Sequence, residues 1–124
     1  MDARFSVKSN GDFRRIFSKG KSSVTPYLVV YFRKNRLGMR RAGFTVSAKL
    51  GNAVTRNTVK RKLREIVRLN GSTLKTGVDI VVVARTRSVG APYRTLEKAF
   101  LDACGKLELF AQPAPSVKTE EAEK

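Results

Sequence analysis

The sequence has no histidine and no tryptophan, a single cysteine, and only 10 acidic residues against 26 Lys and Arg. Each shortage removes a class of chemistry. Without histidine, a Ser-His or Cys-His nucleophile pair, a histidine general base and a histidine-ligated zinc are all excluded. The lone Cys104 can neither form an internal disulfide nor complete a cysteine zinc site. It reads as a small core residue on an amphipathic helix. The acids before the tail, Asp2, Asp12, Glu65, Asp79, Glu97, Asp102 and Glu108, fall singly on different elements. A two-metal nuclease needs several carboxylates converging on one point. Only Asp79, at the head of a strand, stands where such an enzyme keeps a ligand, and pairing with a nearby Arg or Lys is the plainer reading. Gly51 stands alone, so there is no glycine-rich phosphate loop. No apolar run approaches the ~18 residues that span a bilayer. The charged and polar N-terminus does not resemble a signal peptide, and a cytoplasmic protein without a membrane role is expected.

Positive charge is what the chain has in excess. The formal net charge is +16. Residues 1–112 carry +17, while 113–124 hold two basic and three acidic residues. The densest stretch, 33–68, has twelve basic residues opposed only by Glu65. Such a field attracts polyanions, although by itself it does not choose RNA over DNA or an anionic membrane.

At 124 residues the chain is long enough for one domain. Helical spacing of Phe13, Ile16 and Phe17 predicts a first helix from about Ser9 or Asn10 to Ser18, ended by Gly20. Tyr27 to Phe32 and Ala42 to Ala48 read as strands joined by a basic turn, most simply an antiparallel pair. A helix over 51–68 follows, closed at Asn70-Gly71. Val78 to Ala84 is nearly unbroken apolar sequence, which predicts an interior strand buried on both faces. The last helix runs from Tyr93 to about Leu109. The expected fold is α+β, a small two-layer α/β sandwich in the order α-β-β-α-β-α, with room for a short strand at Arg4 to Lys8. The domain is placed at 1–112, with 113–124 a disordered tail.

The helix over 51–68 carries two stripes. With Arg56 at zero and 100° per residue, Lys60, Arg64, Asn57, Arg68 and Arg61 fall between about 40° and 140°. Val59, Leu63, Ile66 and Val67 occupy a separate arc from roughly 280° to 20°. One side suits a core; the other offers cationic groups to a phosphate-rich partner. Cations near a helix start gain nothing from its dipole, so a partner explains Arg56 better than helix stability does.

The run Gly43-Phe-Thr-Val-Ser-Ala-Lys-Leu-Gly-Asn-Ala-Val-Thr-Arg-Asn-Thr-Val-Lys-Arg-Lys-Leu-Arg64 closely resembles the signature of the bacterial ribonuclease P protein subunit. That signature has a Gly-Asn-Ala turn, then Arg-Asn-Arg, then Lys-Arg and a further Arg. Asp12 to Phe17 with Gly20 resembles the family's first helix, and Tyr27 to Tyr31 and Asp79 to Arg85 two of its strands. The likeness covers roughly residues 4 to 110. Thr58 departs from it, standing where the third residue of Arg-Asn-Arg is Arg.

The resemblance implies a protein that binds a large catalytic RNA and helps it remove the 5′ leader of precursor tRNA, with Mg²⁺ bound mainly by the RNA. It also implies a left-handed β-α-β crossover, against the general right-handed rule. Arg56, Asn57, Lys60, Arg61, Arg64 and Arg68 would contact the catalytic RNA, where Arg can grip phosphate bidentately. Phe13, Phe17 and Tyr31 would line a cleft for the single-stranded leader, with Lys8 and Lys49 at its edge and Ile16 in the core. Spacing alone favours core packing for both phenylalanines; the resemblance assigns them to the cleft. Aromatics that stack unpaired bases fit RNA better than DNA, so no DNA partner is expected. A basic ribosomal or RNA-chaperone protein is the competing function, and a stand-alone nuclease lacks its carboxylates.

Overall fold

The computed structural model describes residues 10–35 and 38–111. Three helices and four strands follow in the order α1 (Asn10–Lys19), β1 (Lys21–Val24), β2 (Leu28–Lys34), β3 (Arg41–Thr45), α2 (Ala53–Asn70), β4 (Val78–Ala84) and α3 (Tyr93–Lys106). The class is α+β, as the sequence predicts. The expected strand at Arg4 to Lys8 and the tail over 113–124 lie outside the described residues.

The strands form one sheet in the order β1-β2-β4-β3. This corrects the expected pairing of β2 with β3. Instead β4 lies between them, antiparallel to β2 and parallel to β3. The reason lies in β4 itself, whose Val78, Ile80, Val81 and Val82 are all at most 3% exposed. A strand with no polar face must have neighbours on both edges and cover on both sides. Parallel strands cannot be joined by a tight turn, and α2 supplies the long connection from β3 to β4. β1, a four-residue edge strand paired antiparallel with β2, is not among the elements the sequence predicts.

Alternation along the strands divides the core. Leu28 and Val30 of β2, Ala42 of β3 and Ile80 and Val82 of β4 pack with Leu63 and Ile66 of α2 and Leu96 and Phe100 of α3. On the opposite face Ile16 of α1 is buried with Val81, and Tyr31 and Val83 pack against them. Gly20 sets how closely α1 approaches that sheet. A Cβ built there would stand 2.3 Å from the Phe32 carbonyl oxygen and 2.5 Å from that of Ile16. No residue with a side chain fits at this junction. Gly20 therefore does more than end the helix, because it lets the chain turn directly from α1 into the sheet.

Candidate RNA-binding surface

The start of α2 is built locally. Gly51 takes φ 137°, a region that disfavours side chains. Asn52 then caps the helix, its Oδ1 accepting from the Thr55 backbone N–H at 2.9 Å. No acid occupies the first turn, so the positive end of the helix dipole is left uncompensated within the helix. The apolar stripe is buried as the spacing predicts: Val59, Leu63, Ile66 and Val67 are each at most 3% exposed.

The polar stripe faces outward. Asn57, Arg61, Arg64 and Arg68 are exposed, whereas Arg56 and Lys60 are half-buried. Among the described residues, only Arg68 of the stripe's cations has an internal counter-ion: its Nε and Nη2 donate to Glu65 at 2.9 and 2.5 Å. That contact holds the Glu65 carboxyl below its ordinary range. Arg56, Lys60, Arg61 and Arg64 form no ion pair with the described residues. Lys62, off the stripe, donates to the Ala91 carbonyl at 3.0 Å and ties α2 to the loop before α3. Thr58 turns its hydroxyl back onto the Val54 carbonyl at 3.0 Å, so this departure from the signature is absorbed within the helix.

Phe17 and Tyr31 sit on the other face of the sheet. Phe17 is 41% exposed, while its neighbour Ile16 is 1% exposed and takes the core position. The Phe17 and Tyr31 rings meet edge to face, with centroids 4.8 Å apart and planes at 77°. Phe13 falls on α1 one turn before Phe17. Lys8 lies outside the described residues. Lys49 is exposed in the short turn that precedes Gly51.

A groove of about 450 Å³ joins the two regions, lined by Phe17, Phe44, Thr45, Val46, Arg56, Asn57 and Lys60. Arg56 lines it, and its Nε is covered from solvent with no hydrogen-bond partner among the described residues. A buried donor without an acceptor is costly to a folded protein. Phe44, Thr45 and Val46, part of the signature run, are not among the site residues the sequence predicts. Their position at the carboxyl end of a strand feeding a crossover helix was the available signal, because ligands of open α/β sheets gather there.

A protein-held catalytic metal does not fit these residues. Among the described residues no three acidic or cysteine side chains lie together. Asp79 is 6% exposed and has the plainer of its two expected roles. Its Oδ1 accepts from Arg41 Nε at 2.8 Å and Asn35 Nδ2 at 2.7 Å, and its Oδ2 from Arg41 Nη2 at 2.6 Å. No helix among the described residues is long and apolar enough to cross a membrane.

A sequence profile for ribonuclease P matches residues 1–108. The chain belongs to the ribonuclease P protein family. It is 40% identical over 111 residues to the ribonuclease P protein component of Alkaliphilus metalliredigens, covering 90% of this chain and all of that one. Among solved structures, the Staphylococcus aureus ribonuclease P protein superposes with a TM-score of 0.79 at 34% identity, covering 86% of this chain and 97% of that one. The Thermotoga maritima ribonuclease P protein gives 0.72 at 37% identity, with 78% and 92% covered. Membership of the ribonuclease P protein family favours tRNA processing over the ribosomal or RNA-chaperone alternative, which charge and fold class alone left open.

Proposed function

We propose that this chain is the protein component of a ribonucleoprotein that removes the 5′ leader of precursor tRNA, and that the RNA component performs the hydrolysis. The observation that carries this reading is the groove lined jointly by Phe17 of α1 and by Arg56, Asn57 and Lys60 of α2. Arg56, Asn57, Lys60, Arg61 and Arg64 grip the catalytic RNA. Arg68 adds to them once its pairing with Glu65 is exchanged for phosphate. Phe13, Phe17 and Tyr31 stack leader bases, each contact being worth ~1–3 kcal/mol. Lys8 and Lys49 add charge at the cleft edge.

Because mature tRNA has no leader, binding energy gained in the cleft favours substrate over product. The protein's charge also reduces repulsion between two polyanions. Mg²⁺ belongs to the RNA in this division of labour, consistent with the absence of a carboxylate cluster among the described residues. The complex is placed in the cytoplasm.

Three incubations of precursor tRNA with Mg²⁺ at low salt test the reading: protein alone, RNA component alone, and both. Efficient cleavage only by the combination is expected. Cleavage by protein alone would assign the chemistry to the polypeptide, and no effect of added protein would remove the proposed assisting role.

A further inference from the structure

The sheet face turned toward α1 continues past the aromatic pair. In cross-strand register, Ser22, Tyr31, Val81 and Gly43 form one row. Two residues further along β2, Arg33, Asp79 and Arg41 form the next row on the same face. This second row holds two guanidinium groups and one carboxylate. Both Asp79 oxygens are taken by Arg41, and Asn35 adds a further donor. Arg33 is half-buried and has no hydrogen bond or ion pair among the described residues, reaching Asp79 only through its field. Arg33 therefore adds a guanidinium without a partner among the described residues to a surface that already carries Tyr31.

Resting on the reading of Phe17 and Tyr31 as a leader cleft, we infer that Arg33 binds a leader phosphate beyond the stacked bases. The leader track would run past Phe17 and Tyr31 to the Arg33–Asp79–Arg41 row, away from the α2 groove. Residues i and i+2 of a strand stand about 7 Å apart on one face. Tyr31 and Arg33 thus offer an aromatic plane and a guanidinium fork to successive parts of one extended strand. Asp79 has a positioning role: its two-pronged contact fixes the Arg41 guanidinium, and its negative charge attracts that of Arg33. Arg33 thereby makes affinity depend on leader length, in addition to the presence of a leader.

The test uses the complete ribonucleoprotein and precursor tRNAs with leaders of graded length. Arg33→Ala should weaken binding about tenfold for long leaders, the size of one charge-assisted hydrogen bond, and leave the shortest unchanged. The slope of log affinity against log salt should fall by about 0.7 for long leaders only. Arg33→Lys should restore the slope and most of the affinity, a rescue that a merely structural role in packing would not produce. An equal loss at every leader length would place Arg33 against the RNA component or the fold, and no loss would remove it from binding; either result overturns the inference. Phe17→Ala, measured in parallel, separates the two levels. If Phe17→Ala impairs leader-containing substrates selectively and Arg33→Ala does not, only the extension fails. If neither variant shows leader dependence, the cleft reading fails with it.

Discussion

Arg41 and Asp79 are direct register partners across the parallel pair β3–β4, and their side chains close a two-pronged ion pair on the face turned toward α1. Burial pushes the Asp79 carboxyl up, but hydrogen bonds from Arg41 and Asn35, with the fields of Arg41 and Arg33, pull it down further, and the net shift is downward. A carboxylate with a depressed folded pKa stabilises the protein above its unfolded value of ~3.9 and loses that contribution as pH falls through the folded value. The thermal midpoint should therefore fall as pH is lowered below about 4. Asp79→Asn should remove this component and cost about 2 kcal/mol near neutral pH, less than a fully buried pair because Arg41 is partly exposed. Thermal melts of both proteins from acid to neutral pH check it; parallel acid limbs would show that Asp79 is not the group responsible.

The conflict over β4 was already present in the sequence. Val78 to Ala84 read as an interior strand, and β2 and β3 as partners, yet an interior strand among three must separate the other two. The apolar pattern reports burial on both faces directly, whereas the hairpin rested on nearness in sequence. Burial prevailed. β1 was illegible for a different reason: Lys21-Ser-Ser-Val is short, and only Ser23 and its partner Val30 turn inward, so no clear alternation marks it. The α2 stripe was legible because a helix interior repeats on its own sequence. The groove was not, because Phe17, Phe44 and Arg56 come from three elements whose meeting depends on the whole sheet.

Asn52 offers a way to separate helix stability from RNA affinity. Its cap on Thr55 predicts that Asn52→Ala lowers stability by about 1 kcal/mol. Asn52→Asp should keep the cap and add ~0.3–1 kcal/mol from the helix dipole. The same carboxylate, one turn ahead of Arg56, should repel phosphate and weaken binding to the RNA component. Chemical denaturation together with an RNA titration should show the Asp variant at least as stable yet weaker-binding. Unchanged affinity would place the RNA away from the start of α2.

Cys104 is 0% exposed, and burial alone pushes its thiol up to about 12. A charged thiol reagent at pH 8 should leave the native protein unmodified and label it promptly in denaturant. The sign of the linkage follows: an unfolded thiol ionises near ~8.5, the folded one only at much higher pH, so stability falls as pH rises between them. Cys104→Ala should flatten that alkaline decline, at the cost of a small cavity. Rapid native labelling would contradict the buried placement.

The exposed stripe of α2 can be tested in both directions. Arg61 and Arg64 lack an ion pair among the described residues, so each is available to displace counter-ions from phosphate. Replacing both with Ala should weaken binding to the RNA component and lower the salt slope by roughly 1.4–1.8, while leaving the thermal midpoint nearly unchanged. Glu65→Gln should act the opposite way. The carboxylate now occupies the Arg68 Nε and Nη2, and removing its charge releases that guanidinium to the partner. Tighter binding and a steeper salt slope are expected, because an exposed pair of this kind adds little to folding. If the double variant and Glu65→Gln both left the slope unchanged, this face of α2 would not be where phosphate binds, and the search would move to the cations around Arg33 and Lys34.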